Sequence, residues 1–340
     1  MKVLITAPYN EKGLFDLRQD LGEVIYRPWK ENGRAYTENE LAALLYDTEA
    51  EALITEHDHV TEKVINANAH LQFIGVCRGT PSNVSLTAAS RHRIPVFYTP
   101  ARNAQAVAEM FIANVINFLR KTIPAMEWLR QRNWNAGAHT SYLEFKGHEL
   151  AGKTIGMVGF GAIGQLIARL VENFPCNIAY YDPYISAEAF PSYRKLNLEE
   201  LFAECDIVSV HLPVTEATIS MIDQKLFSLM KPDALFVNTA RAVVVDRKAL
   251  YEVVSQQKIR GAILDVFDNE PPDELDYRII DLPNVLATPH IAGATFEVED
   301  HHVRILNEAI IQWFIAGIRN PSCLANREIL STNVDSGGPG

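Results

Sequence analysis

Short apolar runs alternate with longer mixed stretches along most of the chain. Residues 3–6, 52–55, 73–76 and 96–99 are short, apolar and rich in β-branched or aromatic residues. Runs of this length read as strands buried on both faces. Between them, residues 39–48 and 61–69 carry apolar positions at helical spacing. Strands alternating with helices predict a parallel sheet with helical crossovers. Residues 101–121 predict one long helix, with Pro124 soon after it. Residues 130–148 are polar, rich in Trp, Asn and Gly, and lack a period, so they predict a long loop. A second alternation then begins, with strands expected at 154–158, 177–181, 206–211, 234–237, 261–266 and 285–287. Six strands separated by helical stretches match a doubly wound dinucleotide-binding domain. Residues 295–317 predict a last long helix, and the tail ending in SGGPG is expected to be disordered.

Composition narrows this picture. A chain of 340 residues suggests two domains, and 48% hydrophobic with 21% charged residues is ordinary for a globular protein. A net charge of −11 argues against a nucleic-acid surface, which needs clustered Lys and Arg. The densest basic spot, Arg91-His92-Arg93, reads as a solvated loop. The apolar start is too short for a signal peptide, and no stretch is long enough to span a membrane. Four cysteines are scattered without a CxxC pair, so neither a zinc site nor a disulfide framework is suggested. A reducing, cytoplasmic setting is expected.

The stretch GMVGFGAIG, residues 156–164, places Gly159, Gly161 and Gly164 in GxGxxG spacing. Such glycines make a tight turn, let backbone approach a pyrophosphate, and let the helix pack on its strand. The helix N-terminus, including the N–H groups of Ala162 and Ile163, then faces the phosphates. Asp182 closes the next strand at the expected offset of about 20 residues. A carboxylate there accepts from a ribose diol and repels a 2′-phosphate, which favours NAD over NADP.

Arg241, Asp265, Glu270 and His290 all follow expected strand ends. Ligands sit outside the carboxyl ends of such strands. Each residue has a bland reading: a structural ion pair for Arg241, a solvated turn for Glu270, a capping or core histidine for His290. Together they suit one reaction. The arginine clamps a carboxylate, the histidine moves a proton near neutral pH, and the glutamate orients the imidazole.

On the stretches KGHELAGKTIGMVGFGAIG, HLPVTEAT, VNTARAVVVD, LDVFDNEPP and TPHIAGAT, the chain resembles the D-isomer-specific 2-hydroxyacid dehydrogenases, from about residue 73 to 317. The resemblance implies two doubly wound parallel-sheet domains, an NAD-binding Rossmann domain at 101–293 inserted in a flavodoxin-like substrate domain of 1–100 plus 294–320, with 321–340 a tail. It implies catalysis by Arg241, Glu270 and His290, with no metal. It places NAD contacts at Thr239, Ala240, Asp265, Ala292 and Gly293, and adenine-side contacts near His211 and Pro213. A substrate loop falls at Arg78, Gly79 and Thr80, whose N–H groups could bind a carboxylate. Arg78 resembles an arginine of phosphoglycerate dehydrogenases, and Arg102, Arg130 and Arg132 are candidates for a second anion partner. Residues 101–121 are expected at a homodimer interface. Two departures stand out: Ala242 follows the arginine where the family commonly has Gly, and Ser82 and Ser85 stand in the substrate loop where an Asp is usual. The function implied is reduction of a 2-oxo acid or its reverse, with glyoxylate-, hydroxypyruvate-, phosphoglycerate- or sugar-acid-like substrates open. A binding protein of this fold that senses NAD(H) with little turnover is the rival.

Overall fold

The computed structural model describes residues 1–135 and 137–333. The chain divides into two compact units, one formed by Met1–Asn103 with the segment from Thr295 onward, the other by Ala104–Ala294.

In the first unit, strands β1 (Lys2–Ile5), β2 (Glu23–Tyr26), β3 (Ala52–Thr55), β4 (Phe73–Val76) and β5 (Val96–Tyr98) form one sheet in the order β2-β1-β3-β4-β5. Every pairing is parallel, and the order is the flavodoxin-like one. Helices cover both faces, which is why β3 and β4 are apolar without alternation. On one face Val3, Ile5, Phe73 and Phe97 pack with Leu17, Leu306 and Trp313. On the other, Leu4, Leu53 and Ile74 pack with Leu41, Val64 and Ala88. A Cβ on Gly75 would lie 2.8 Å from Leu306, so this glycine lets the helix Glu297–Phe314 seat on β4.

The second unit holds β6 (Thr154–Val158), β7 (Asn177–Tyr181), β8 (Arg194–Lys195), β9 (Ile207–Val210), β10 (Leu235–Asn238), β11 (Gly261–Leu264) and β12 (Val285–Ala287). Their order is β12-β11-β10-β9-β6-β7-β8, all parallel. Strand order reverses between β6 and β9, the switch point at which such sheets bind ligands. Because all seven strands run one way, their carboxyl ends share one edge.

The structure adds what the pattern did not reveal. β2 reads EVIY, with an apolar run of only three residues that is partly buried at a sheet edge, and β8 is two exposed polar residues. The expected loop at 130–148 contains the short helix His139–Glu144, preceded by a helix at Thr122–Arg130. Residues 321–330, expected as part of a disordered tail, are packed. Tyr98 N donates to Cys323 O at 3.0 Å, Asn326 Oδ1 accepts from Val96 N at 2.8 Å, and Leu324 is buried beside them. Here tertiary pairing with edge strand β5 supplies order that local composition does not. The remaining tail residues, 334–340, lie outside the described residues. No helix among the described residues is long and apolar enough to cross a membrane.

Candidate active site

The carboxyl edge of the seven-stranded sheet gathers most of the expected site residues. After β6, Gly159 has φ +91°, and a Cβ there would lie 2.9 Å from the carbonyl oxygen of His211. A Cβ on Gly164 would lie 2.7 Å from Gly159 O. These two glycines are required by the protein's own packing. Gly161 differs, since a Cβ there would meet nothing within 4 Å. Its bareness serves something outside the protein's own contacts. The helix Ala162–Val171 starts at Gly161 with no side-chain cap, so its first N–H groups are left for a ligand. At the end of β7, Asp182 Oδ2 accepts from Phe160 N and Oδ1 from Tyr184 N, both at 2.9 Å, which braces the carboxylate beside the glycine turn.

Two buried polar atoms next along this edge, His211 Nδ1 and Thr239 Oγ1, have no hydrogen-bond partner among the described residues. Buried polar atoms are rarely left so, and such orphans fit a missing ligand. His211 Nε2 lies 2.9 Å from Ser209 Oγ, and burial pushes the imidazole down to about 3, so it is neutral at ordinary pH. Pro213 sits in the exposed turn that follows, where its carbonyl accepts from Thr218 Oγ1 at 2.7 Å. Open space at Gly161, free helix N–H groups, a braced carboxylate and these orphans are what a dinucleotide needs.

The second cluster follows β10, β11 and β12, three adjacent strands. Asn238 closes a tight loop after β10, its Oδ1 accepting from Ala240 N and its Nδ2 donating to Arg241 O, both at 3.0 Å. Arg241 is exposed, and its guanidinium donates to Ala240 O at 2.6 Å. Among the described residues no carboxylate pairs with it. The structural ion pair that would explain a strand-end arginine is therefore absent there. After β12, His290 Nδ1 lies 2.9 and 2.8 Å from the two oxygens of Glu270. Facing a carboxylate, Nδ1 must be the donor, which leaves Nε2 to exchange protons. His290 has φ +53°, a left-handed backbone, and its side chain is 45% exposed.

Asp265 lies beneath the turn that follows β12. It is 1% exposed and accepts from Thr288 Oγ1 at 2.6 Å, Ile291 N at 2.9 Å and Ala292 N at 2.8 Å. It therefore locks the turn from His290 through Ala292 to Gly293. Ala242, in place of the usual glycine, opens a short 3-10 helix over Ala242–Val244 and is not left-handed, so its methyl causes no backbone strain.

Residues 112–292 match the model of the D-isomer specific 2-hydroxyacid dehydrogenase NAD-binding domain. The chain belongs to the D-isomer specific 2-hydroxyacid dehydrogenases. It is 57% identical over 332 residues to YoaD of Bacillus subtilis (strain 168), itself provisionally named a 2-hydroxyacid dehydrogenase, covering 98% of this chain and 96% of that one. It is 32% identical to a glyoxylate reductase of Pyrococcus furiosus, covering 97% and 96%. The structure of a D-2-hydroxyisocaproate dehydrogenase superposes with a TM-score of 0.82 over 96% of this chain and 100% of that one. At 23% identity that match speaks for the fold. This dehydrogenase is thus an oxidoreductase, and NAD is the cofactor of its second unit.

In the dehydrogenase's first unit, the expected substrate loop follows β4. Arg78 N is taken by Val76 O at 2.8 Å, a correction to the expectation that it would serve a ligand. The N–H groups of Gly79 and Thr80 have no acceptor among the described residues. Arg102, one candidate for a second anion contact, is already engaged, with its guanidinium 2.9 Å from Glu56 Oε1 and 3.0 Å from His302 Nδ1. Arg130 lies 3.9 Å from Glu127 on an exposed helix, and Arg132 sits in the turn after it with φ +59°. Asp58, flanked by His57 and His59, is buried and accepts from Thr6, Thr55 and the backbone of Tyr36, a structural role. Sequence reasoning placed Asn238 only as the end of the strand, not as the amide that ties the loop beneath Arg241. It also missed Arg247, whose partners come from other segments.

Proposed function

We propose that this dehydrogenase interconverts a small 2-oxo acid and its D-2-hydroxy acid, with Arg241, Glu270 and His290 as the reacting and orienting groups. The observation that carries this reading is an exposed Arg241, with no carboxylate partner among the described residues, in the loop after β10, next to the loop after β11 that bears Glu270, itself paired with His290. Arg241 grips the substrate carboxylate in bidentate fashion and polarises the neighbouring carbonyl. His290 Nε2 gives its proton to the carbonyl oxygen as the alcohol forms. Glu270 holds the Nδ1 proton throughout, which fixes the tautomer and stabilises the charged ring before transfer. Gly159, Gly161, Ala162, Ile163 and Gly164 hold the pyrophosphate and Asp182 the adenosine ribose. Thr239, Ala240 and the turn at Ala292–Gly293 border the nicotinamide. Bound NADH supplies the hydride to the substrate carbon.

Gly79 and Thr80 offer N–H groups to the substrate. Because Arg102 is committed to the buried Glu56, it drops out as a second anion contact, and a phosphate-bearing substrate would rely on Arg78 instead. A homodimer fits the apolar side chains exposed just beyond the expected interface helix, Ile123, Met126, Leu129, Trp134, Tyr142 and Leu143. The helix Ala104–Leu119 itself is largely spent on its own unit's core. Four unpaired cysteines, three of them buried, fit a reducing compartment.

The test is loss of NADH absorbance with purified protein against glyoxylate, hydroxypyruvate, its phosphate, and four- and five-carbon sugar-derived 2-oxo acids. Turnover with at least one member is expected. NADH binding with no turnover of any member would overturn the reading in favour of an NAD(H)-sensing protein.

A further inference from the structure

Arg247 is the first residue of the helix Arg247–Ser255, six positions after Arg241. Its side chain does not face solvent among helix neighbours. Nε lies 2.9 Å from Asp268 Oδ2, and the same guanidinium lies 2.8 Å from Asp273 and 3.1 Å from Asp276. Asp276 is 2% exposed, so its charge depends on that pairing. The acids in turn hold the segment after β11. Asp276 Oδ2 accepts from Asn269 N and Asp273 N, each at 3.3 Å, and Asp273 Oδ2 accepts from Asn269 Nδ2 at 2.8 Å. Asp268 and Asn269 directly precede Glu270. A small cavity beneath this network is lined by Asn238, Ala242, Arg247, Asp268 and Asp276. Asn238 is the residue that ties Arg241's loop.

We infer that Arg247 is a positioning residue for the reaction, a strut joining the loop that carries Arg241 to the loop that carries Glu270. Arg247 continues directly from the Arg241 loop along the chain, and its charged pairs all run to the segment that carries Glu270. Three carboxylates converge on one guanidinium, which presents a planar fork with donors in several directions. A lysine offers one compact charge and cannot reach Asp268 and Asp273 in the same geometry. The strut sets where Glu270 stands relative to Arg241, and so where His290 delivers its proton relative to the clamped carboxylate. Misplacement by a fraction of an ångström is costly at such sites.

This inference rests on the proposed reaction, and its test has a substrate-free arm. Arg247→Met, Arg247→Lys and the double variant Arg247→Met with Asp268→Asn are compared as full-length proteins. Hydrogen exchange in the absence of substrate is expected to rise at least about tenfold in residues 239–246 and 266–273 of Arg247→Met, with the β6–β9 strands unchanged. On an accepted 2-oxo acid, kcat is expected to fall about 30-fold while NADH affinity stays within about twofold. Arg247→Lys should recover stability more than kcat. The double variant relieves the surplus of acids. If it restores stability but not kcat, the strut's geometry is what matters. If it restores kcat as well, Arg247 only balances charge and the inference fails. Unchanged exchange in the two loops would overturn it even if no substrate were found, and unchanged kcat with loosened loops would overturn it while leaving the proposed function standing.

Discussion

The two sheets present their carboxyl edges in opposite electrostatic states. On the five-stranded sheet, the charges after β3 are buried and answered. Glu56 is 6% exposed and held by Arg102 and by Trp29 Nε1 at 3.1 Å. Asp58 is fully buried and accepts three hydrogen bonds. His302 bridges Arg102 to Pro8 O at 2.8 Å, and burial lowers its affinity for a proton. On the seven-stranded sheet, Arg241 has no carboxylate partner among the described residues, and the His290 and Glu270 side chains are 45% and 43% exposed. The helix after Gly161 begins uncapped. Charge that folding requires is paired inside the protein, whereas charge meant for a ligand is left open at a loop tip held by its neighbours. Asn238 beneath Arg241 and Asp265 beneath His290 are such neighbours, and both are buried.

The strongest way to break this contrast is to remove the open charges. Arg241→Ala and His290→Ala should each lower kcat/KM by about 1,000-fold, as loss of a general acid or a charged clamp does. NADH affinity, read by fluorescence, should change little, and the melting temperature should not fall. A variant that kept turnover would show that the open edge is not where the chemistry occurs.

Removing a paired charge should have the reverse signature. Arg102→Met strands the buried Glu56 carboxylate and is expected to cost about 3 kcal/mol, within the range for breaking a buried pair. Hydrogen exchange should rise across residues 1–103 while NADH affinity is held. If stability were unchanged and catalysis lost, Arg102 would belong to the ligand-facing class.

Asp182 sharpens the contrast within the seven-stranded sheet, since its carboxylate is braced by two backbone N–H groups yet is proposed to hold the adenosine ribose. Asp182→Ser should shift the NADH to NADPH preference by about tenfold to a hundredfold, the worth of a hydrogen bond to a charged group. No shift would place ribose selection elsewhere.

The smallest expected effect concerns acid stability. His211 is held down from 6.5 to about 3 by burial. Above 6.5 it is neutral in both states and contributes no pH dependence. Between 6.5 and about 3 the unfolded chain takes up a proton that the folded chain refuses, so stability falls as pH drops. His211→Gln should flatten that decline by about 2 kcal/mol at pH 5 in urea unfolding of the seven-stranded unit. An unchanged slope would mean that the site admits the proton at little cost.

Much of this was legible in the chain itself. Buried parallel strands must be apolar on both faces, so β3, β4, β6 and β10 announce themselves, and the glycine spacing at 159–164 names a phosphate turn because few other sequences tolerate one. The order Arg241, Glu270, His290 was readable for the same reason: each follows a strand end. Edge strands β2 and β8 were not read: the run Val24-Ile25-Tyr26 is short and only partly buried, and β8 is two exposed charged residues with no apolar signal at all. Nor was the packing of Leu324 and Asn326, which depends on β5 over 200 residues away in the chain.

The sequence by itself determined which residues are chemically able to act and which strands are buried, because both follow from side-chain type and local period. Only the tertiary structure decided which charges are used up. Arg102 and Arg241 are the same residue type, each near a strand end. One meets a buried carboxylate brought to it from another strand and becomes part of the framework. The other meets none and is left to bind. A guanidinium's role depends on what lies within about 3 Å of it, and that distance is set by folding segments far apart in the chain.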